Sequence, residues 1–262
     1  MENESMPTRM SVAEKTLTKE SLLLSGSILL ASLIVSGAIL TLTPQGVGGV
    51  KTLPTGGNEQ AVAPSDAIDV NVAAAIDDDA GLGDKKKAKV AIVEFTDFEC
   101  PFCKRFHADT FDTIVKDYVD TGKAIIVTRD FPLSFHDPKA TEEAALAECV
   151  RKEKGDAAYF AFGTSLYENT LTNGKGLPEG KQADLIARLG ANVKSVTACA
   201  ASSAVKEEIA ADIADGSAAG VSGTPSFVIG VLQEDGSVVG ERVVGALPTE
   251  GFKAKMEQYL SK

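Results

Sequence analysis

Histidine is nearly missing from this chain of 262 residues: His107 and His136 are the two it has, and tryptophan is absent. A histidine-rich metal centre is thereby excluded. Basic residues are short as well. Against 37 Asp and Glu stand 26 Lys and Arg, for a net charge of −11. No nucleic-acid binder is expected, because such a protein needs a basic stripe for the phosphates. The methionines Met1, Met6, Met10 and Met256 form no cluster. The four cysteines, Cys100, Cys103, Cys149 and Cys199, leave none over. An even set fits an oxidising compartment, although the count alone is weak.

What is present begins with a long uncharged run. No charged residue stands between Glu20 and Lys51, and Leu22 to Leu42 is apolar apart from Ser, Gly, Ala and Thr. About 20 such residues span a hydrocarbon core as a helix. A cleaved signal peptide is the alternative, with Ser36-Gly37-Ala38 as a small-x-small site. Ile39, Leu40 and Leu42 carry the run past that site, which favours an uncleaved anchor over 21–43. Arg9, Lys15 and Lys19 precede the span and Lys51 alone follows it closely. The bias keeps residues 1–20 in the cytoplasm and places the rest outside the cell membrane as a single-pass protein. From 44 to 87 the chain is rich in Gly, Pro, Ala and Asp and reads as a flexible tether. Its reach as a coil is roughly 35–40 Å. A short edge strand near 68–74 is compatible with it.

A folded domain over 88–262 follows. Val90–Phe95 is short, β-branched and followed at once by a turn, so it reads as a buried strand. Cys103–Tyr118 reads as a helix and Ala124–Thr128 as a second strand, together a βαβ unit. Residues 139–219 turn helical: Ala140–Lys152, Ala157–Asn169, Gln182–Leu189 and Val193–Ala200 have helical composition, and Val205–Ala214 closes the set. Ser226–Val231 and Ser237–Val244 flank the turn Glu234-Asp235-Gly236 as a hairpin. Phe252–Leu260 closes the domain as a helix. No internal repeat is visible.

Cys100-Pro101-Phe102-Cys103 lies where the first strand hands over to the first helix. Two intervening residues let a disulfide close across one helical turn. The helix N-terminus then aims unpaired N–H groups and the positive end of the helix dipole at Cys100, favouring thiolate. Pro101 suits a first turn, where its missing donor costs nothing. Cys103, one turn down, would resolve a mixed disulfide. Half a zinc site is the rival reading, but zinc wants a second close pair of ligands, and Cys149 and Cys199 stand fifty residues apart.

The segment from Val93 to Phe106, with Cys100-Pro101-Phe102-Cys103 inside it, resembles the active site of DsbA-like proteins of the thioredoxin superfamily. The helical insertion is also similar, as is Asp130-Phe131-Pro132-Leu133 after the second strand. The resemblance covers about 76–262. It implies an α/β, thioredoxin-like fold with an all-helical insertion, here preceded by the transmembrane helix and tether. It implies that Gly223-Thr224-Pro225 is the cis-proline loop, with Pro225 facing Cys100 and Thr224 pairing with an extended substrate. It makes Glu94 a proton relay beneath Cys103; from the residues alone, a solvent-facing strand Glu is the alternative. Strongly oxidising DsbA carries His beside its second cysteine, where this chain has Phe102, so a milder oxidant is expected.

Cys149 and Cys199 fall in expected helices of the insertion. Two unpaired thiols beside an oxidising centre would be at risk, which favours a structural bridge over two separate buried thiols. His107 and His136 read as packed or solvated rather than catalytic, with His136 a weak candidate for lining a groove. The expected activity is oxidation of exported polypeptides that carry free thiols. Reoxidation would come from a quinone-linked membrane partner resembling DsbB or the VKOR-type proteins. No cofactor or metal is expected. The tether looks too polar for a dimerisation domain, so a monomer is expected. A reductase or isomerase is the rival within enzymes, and a thiolate metal-binding or scaffold module the rival from another class.

Overall fold

The computed structural model describes residues 72–76 and 78–262. The expected anchor (21–43), the tail before it and most of the tether lie outside them. Among the described residues no helix is long and apolar enough to cross a membrane.

The strand β3 (Val90–Thr96) is the spine, with all seven residues buried. Its alternate side chains enter two cores. Val90 and Ile92 join the larger one, while Ala91, Val93 and Phe95 join the smaller. β4 (Ala124–Asp130) runs parallel to β3 on one side and β5 (Ser226–Leu232) antiparallel on the other. β6 (Ser237–Val244) pairs with β5 as the expected hairpin. The edges are β1 (Val72–Ala75) against β6 and β2 (Ala80–Leu82) against β4. The sheet order is therefore β1-β6-β5-β3-β4-β2. Both edge strands fall inside the stretch 44–87 read from sequence as a tether. The sheet thus takes in the chain from Val72, because backbone groups at its rim find partners there.

A helix leaves the cysteine motif as α1 (Pro101–Phe106) and opens into a π-turn at His107–Phe111. It tightens over α2 (Asp112–Ile114) and opens again at Val115–Val119. Phe106 packs on Phe227 of β5 and on Phe252 of the last helix, α8 (Thr249–Leu260).

Between β4 and β5 stand α3 (Lys139–Lys154), α4 (Asp156–Asn169), α5 (Lys181–Arg188), α6 (Val193–Ala200) and α7 (Ser203–Ala218). These are the helical insertion expected over 139–219. Cys149 on α3 is bonded to Cys199 on α6. α7 returns to the sheet, and Gly216 lets it approach Phe95 and Phe131. A Cβ there would lie 2.8 Å from the Phe131 ring.

Candidate active site

Asp97 builds the turn that carries the cysteines. Its Oδ1 accepts from the N–H of Glu99 at 2.8 Å, and its main-chain carbonyl accepts from the N–H of Cys100 at 3.0 Å. Its Oδ2 accepts from the N–H of Leu133 at 3.0 Å and lies 2.7 Å from His136 Nδ1. One carboxyl therefore ties the loop after β3 to the loop after β4. Burial raises its pKa against the pull of these bonds. His136 is itself buried, so it buttresses the site and does not line a groove.

Cys100 takes the N-cap position in extended conformation, with Pro101 opening the helix. The thiol donates to the carbonyl of Thr224 at 3.3 Å. The Thr224–Pro225 peptide is cis. Cys103 is fully buried and, like Cys100, a free thiol.

The two sulfurs are electrostatically unequal. The Cys100 thiol is lowered from 9.0 to about 6. The Cys103 thiol beside it is the main cause, and Thr224 and the N–H groups of Phe102 and Cys103 add to it. Cys103 moves the other way, pushed up by burial and by the neighbouring Cys100. One sulfur is held as the ready nucleophile and the other as a resting thiol, as attack and resolution require.

Glu94 lies mid-strand on β3, fully buried, so the solvent-facing alternative does not hold. Its Oε1 is 3.0 Å from His107 Nε2. His107 is sandwiched between Phe111 and Tyr167, with ring centroids 4.5 and 4.3 Å away. The Tyr167 hydroxyl is in turn 2.7 Å from Thr96 Oγ1, and Thr96 hydrogen-bonds Cys103. A polar layer thus underlies the buried sulfur.

Of the residues singled out in the sequence, Cys100, Cys103, Pro101, Phe102, Thr224 and Pro225 come together at one end of β3. Glu94 lies beneath them, and the Cys149–Cys199 bridge lies apart in the insertion. Asp97, His107 and Tyr167 were not anticipated. His107 had a signal: it follows Cys103 by four residues, one helical turn, and so shares its face. Asp97 and Tyr167 had none, since their roles arise from contacts between distant segments. On the open side, a cleft of about 410 Å³ is lined by Phe102, Thr224, Pro225, Val244 and Leu247. Phe102 is 54% exposed and Arg105 lies over its ring.

Known proteins share these features. The family model described as Thioredoxin matches residues 78–247. The chain is 40% identical over 85 residues to the disulfide bond formation protein D of Bacillus subtilis, covering 32% of this chain and 36% of that relative. It thus spans about a third of that relative's length. Among solved structures, oxidised BdbD from Bacillus subtilis superposes with a TM-score of 0.61 at 22% identity, over 75% of this chain and 100% of that one. DsbA2 of Pseudomonas aeruginosa gives 0.56 at 26% identity, over 68% and 92%. A buried cysteine pair at the start of a helix, the cis Thr224–Pro225 peptide opposite it and five helices set into the sheet connection agree with these matches: the chain belongs to the thioredoxin family and has the DsbA-like form of its fold.

Proposed function

We propose that this chain is a membrane-anchored, extracytoplasmic thiol–disulfide oxidoreductase that introduces disulfides into exported polypeptides through Cys100 and Cys103. The observation that carries the proposal is the placement of the pair: Cys100 caps the N-terminus of α1 with its thiol 3.3 Å from the carbonyl of Thr224 in the cis Thr224–Pro225 peptide, and Cys103 is fully buried one turn below. A substrate thiolate attacks Cys100 of the oxidised pair. The Cys100–Cys103 bond breaks, its electron pair passes to Cys103, and that sulfur takes up a proton. The substrate's second thiolate then attacks the mixed disulfide, forms the substrate disulfide and expels Cys100 as thiolate. Two electrons have moved to the enzyme. A quinone-linked membrane protein of the DsbB or VKOR type removes them. The thiolate is the better leaving group because its pKa is low, which favours release in the oxidising direction.

The name of the Bacillus relative supports this direction over reduction or isomerisation. The apolar run over 21–43 supports an anchor, and a monomer fits the polar tether. The test is a pair of assays on the full chain. Oxidised protein should convert a reduced two-cysteine peptide to its disulfide faster than it reduces insulin, and Cys100→Ser should do neither. Faster insulin reduction would assign the chain to the reductases. Membrane fractionation of cells, with carbonate washing, tests the anchor.

A further inference from the structure

Two carboxyls lie buried beside the turn that carries the cysteines. Glu99, the residue before Cys100, is fully buried, and Glu143 on α3 is 3% exposed. The two side chains are in hydrogen-bonding contact. Donors are too few for both. Thr170 borders the two carboxyls, but its one hydroxyl proton goes to Glu99 Oε1. Glu99 Oε2 and both oxygens of Glu143 are buried and accept no N–H or O–H from the protein. The charged groups that face them do not make up the deficit. Asp97, from the same turn, adds negative charge, and His136 is bonded to that Asp97. Lys139, one turn earlier on α3, acts on both acids, but its ammonium is paired with Glu142. Two carboxylates so placed cannot both ionise without a large cost. A proton held between them serves both, because a carboxylic acid donates where a carboxylate only accepts. The main chain of Glu99 is bonded too. Its N–H donates to Asp97 Oδ1 at 2.8 Å and its carbonyl accepts from the N–H of Asn173 at 2.8 Å. Thr172 and Asn173 take φ values of 59° and 57° there, uncommon outside glycine.

We propose that Glu99 and Glu143 share one proton, and that this proton clamps the turn presenting Cys100 to α3, which makes Glu143 a positioning residue for thiol–disulfide exchange. The inference rests on the oxidoreductase reading and deepens it. Glu143 touches neither sulfur; it acts through Glu99, and no proton passes from the pair to the cysteines. Burial, and after it the charge of Glu99, keeps the Glu143 carboxyl protonated up to about 8. The clamp is therefore complete in acid and neutral solution. As the pH rises through 8 the shared proton leaves to solvent, two like charges face each other in the interior, and the turn loosens from α3.

The test compares the full-length wild-type chain with Glu143→Gln and Glu143→Leu. Glutamine keeps a donor to Glu99 that base does not remove, and leucine keeps the bulk without the bond. The rate at which each oxidised protein converts a reduced two-cysteine peptide is followed from pH 6 to 9.5. It is read as the ratio of variant to wild type, so that ionisation of the peptide thiols cancels. For Glu143→Gln the ratio should be near one at pH 6 and climb through pH 8 to about tenfold, the rate equivalent of one pKa unit of lost interaction. For Glu143→Leu it should lie below one at pH 6 and rise as the wild type loses its own clamp. Amide exchange at Glu99, Cys100 and Asn173, corrected for the intrinsic effect of pH, reads the clamp without reference to activity. Protection should fall through pH 8 in the wild type and persist in Glu143→Gln. A flat ratio for Glu143→Gln, or protection that falls in it as in the wild type, would overturn the clamp and leave the oxidoreductase reading standing. Equal rates for the glutamine and leucine variants at every pH would overturn it as a packing effect. If the wild-type chain oxidises no peptide at any pH, the oxidoreductase reading falls, and the role of Glu143 in exchange falls with it whatever the amides show.

Discussion

At the scale of single residues, the chemistry turns on how far the protein favours a thiolate at Cys100. A thiol lowered from 9.0 to about 6 is mostly ionised at pH 7. That stabilises the reduced form by about 1.4 kcal/mol at this pH, or roughly 30 mV towards the oxidising side. For the reduced protein this contribution is complete above pH 9, shrinks as the pH falls, and is lost through about pH 6. Alkylation of Cys100 by iodoacetamide should therefore rise through pH 6 and level off above pH 7. The side chain of Phe102 offers no donor to the sulfur, and its exposed ring leaves room for one. Phe102→His is expected to move the alkylation midpoint lower and to make the pair more oxidising in a glutathione titration. An unchanged midpoint would mean that the dipeptide does not set the thiolate in this chain.

Among elements, the insertion is pinned to itself before it is pinned to the sheet. The Cys149–Cys199 bridge joins α3 to α6 across a separation of 50 residues. On chain-entropy grounds such a bridge contributes about 4 kcal/mol. The double substitution Cys149→Ala with Cys199→Ala should lower stability to urea by that order and raise amide exchange first in α3 and α6. Loss of stability without faster exchange in those two helices would contradict a local role.

The main elements of the domain were legible because their signals are local. The β-branched run of β3, the Pro after Cys100 and the Asp-Gly turn of the hairpin each act over a few residues. β2 was not legible, since Ala80-Gly81-Leu82 has no strand signature and is extended only because β4 offers it partners. The end of α7 was also misplaced. The expected helix stopped at Ala214, where Gly216 and Ser217 weaken the propensity. The observed helix runs to Ala218, because Gly216 fits under Phe95 and Phe131.

For the whole molecule, buried acids make stability depend on pH in an uncommon direction. Glu143 on α3 is raised to about 8, chiefly by burial and then by the charge of Glu99. A carboxyl raised in this way is protonated when folded and ionised when unfolded between its ordinary value of 4.5 and about 8. Its stabilising contribution is full below 4.5 and is lost as the pH rises through 8, at a slope of at most about 1.4 kcal/mol per pH unit. Glu143→Gln should therefore raise the melting temperature at pH 8 more than at pH 5. An equal gain at both pH values would mean that the carboxyl is not protonated in the folded state.

Sequence alone was enough for the cysteine pair at a strand–helix junction and for the helical insertion, because each is written in local residue patterns with strong backbone preferences. The resemblance they carry led to the thioredoxin-like fold and to the proline opposite the pair. Tertiary structure alone decided what surrounds the pair. It joined Asp97 to His136, placed Tyr167 between Thr96 and His107, and set His107 against Glu94. Those contacts link segments that lie 13 to 71 residues apart. Burial and charge act through space, so no local pattern encodes them. It is that environment which separates the acidities of two cysteines only three positions apart.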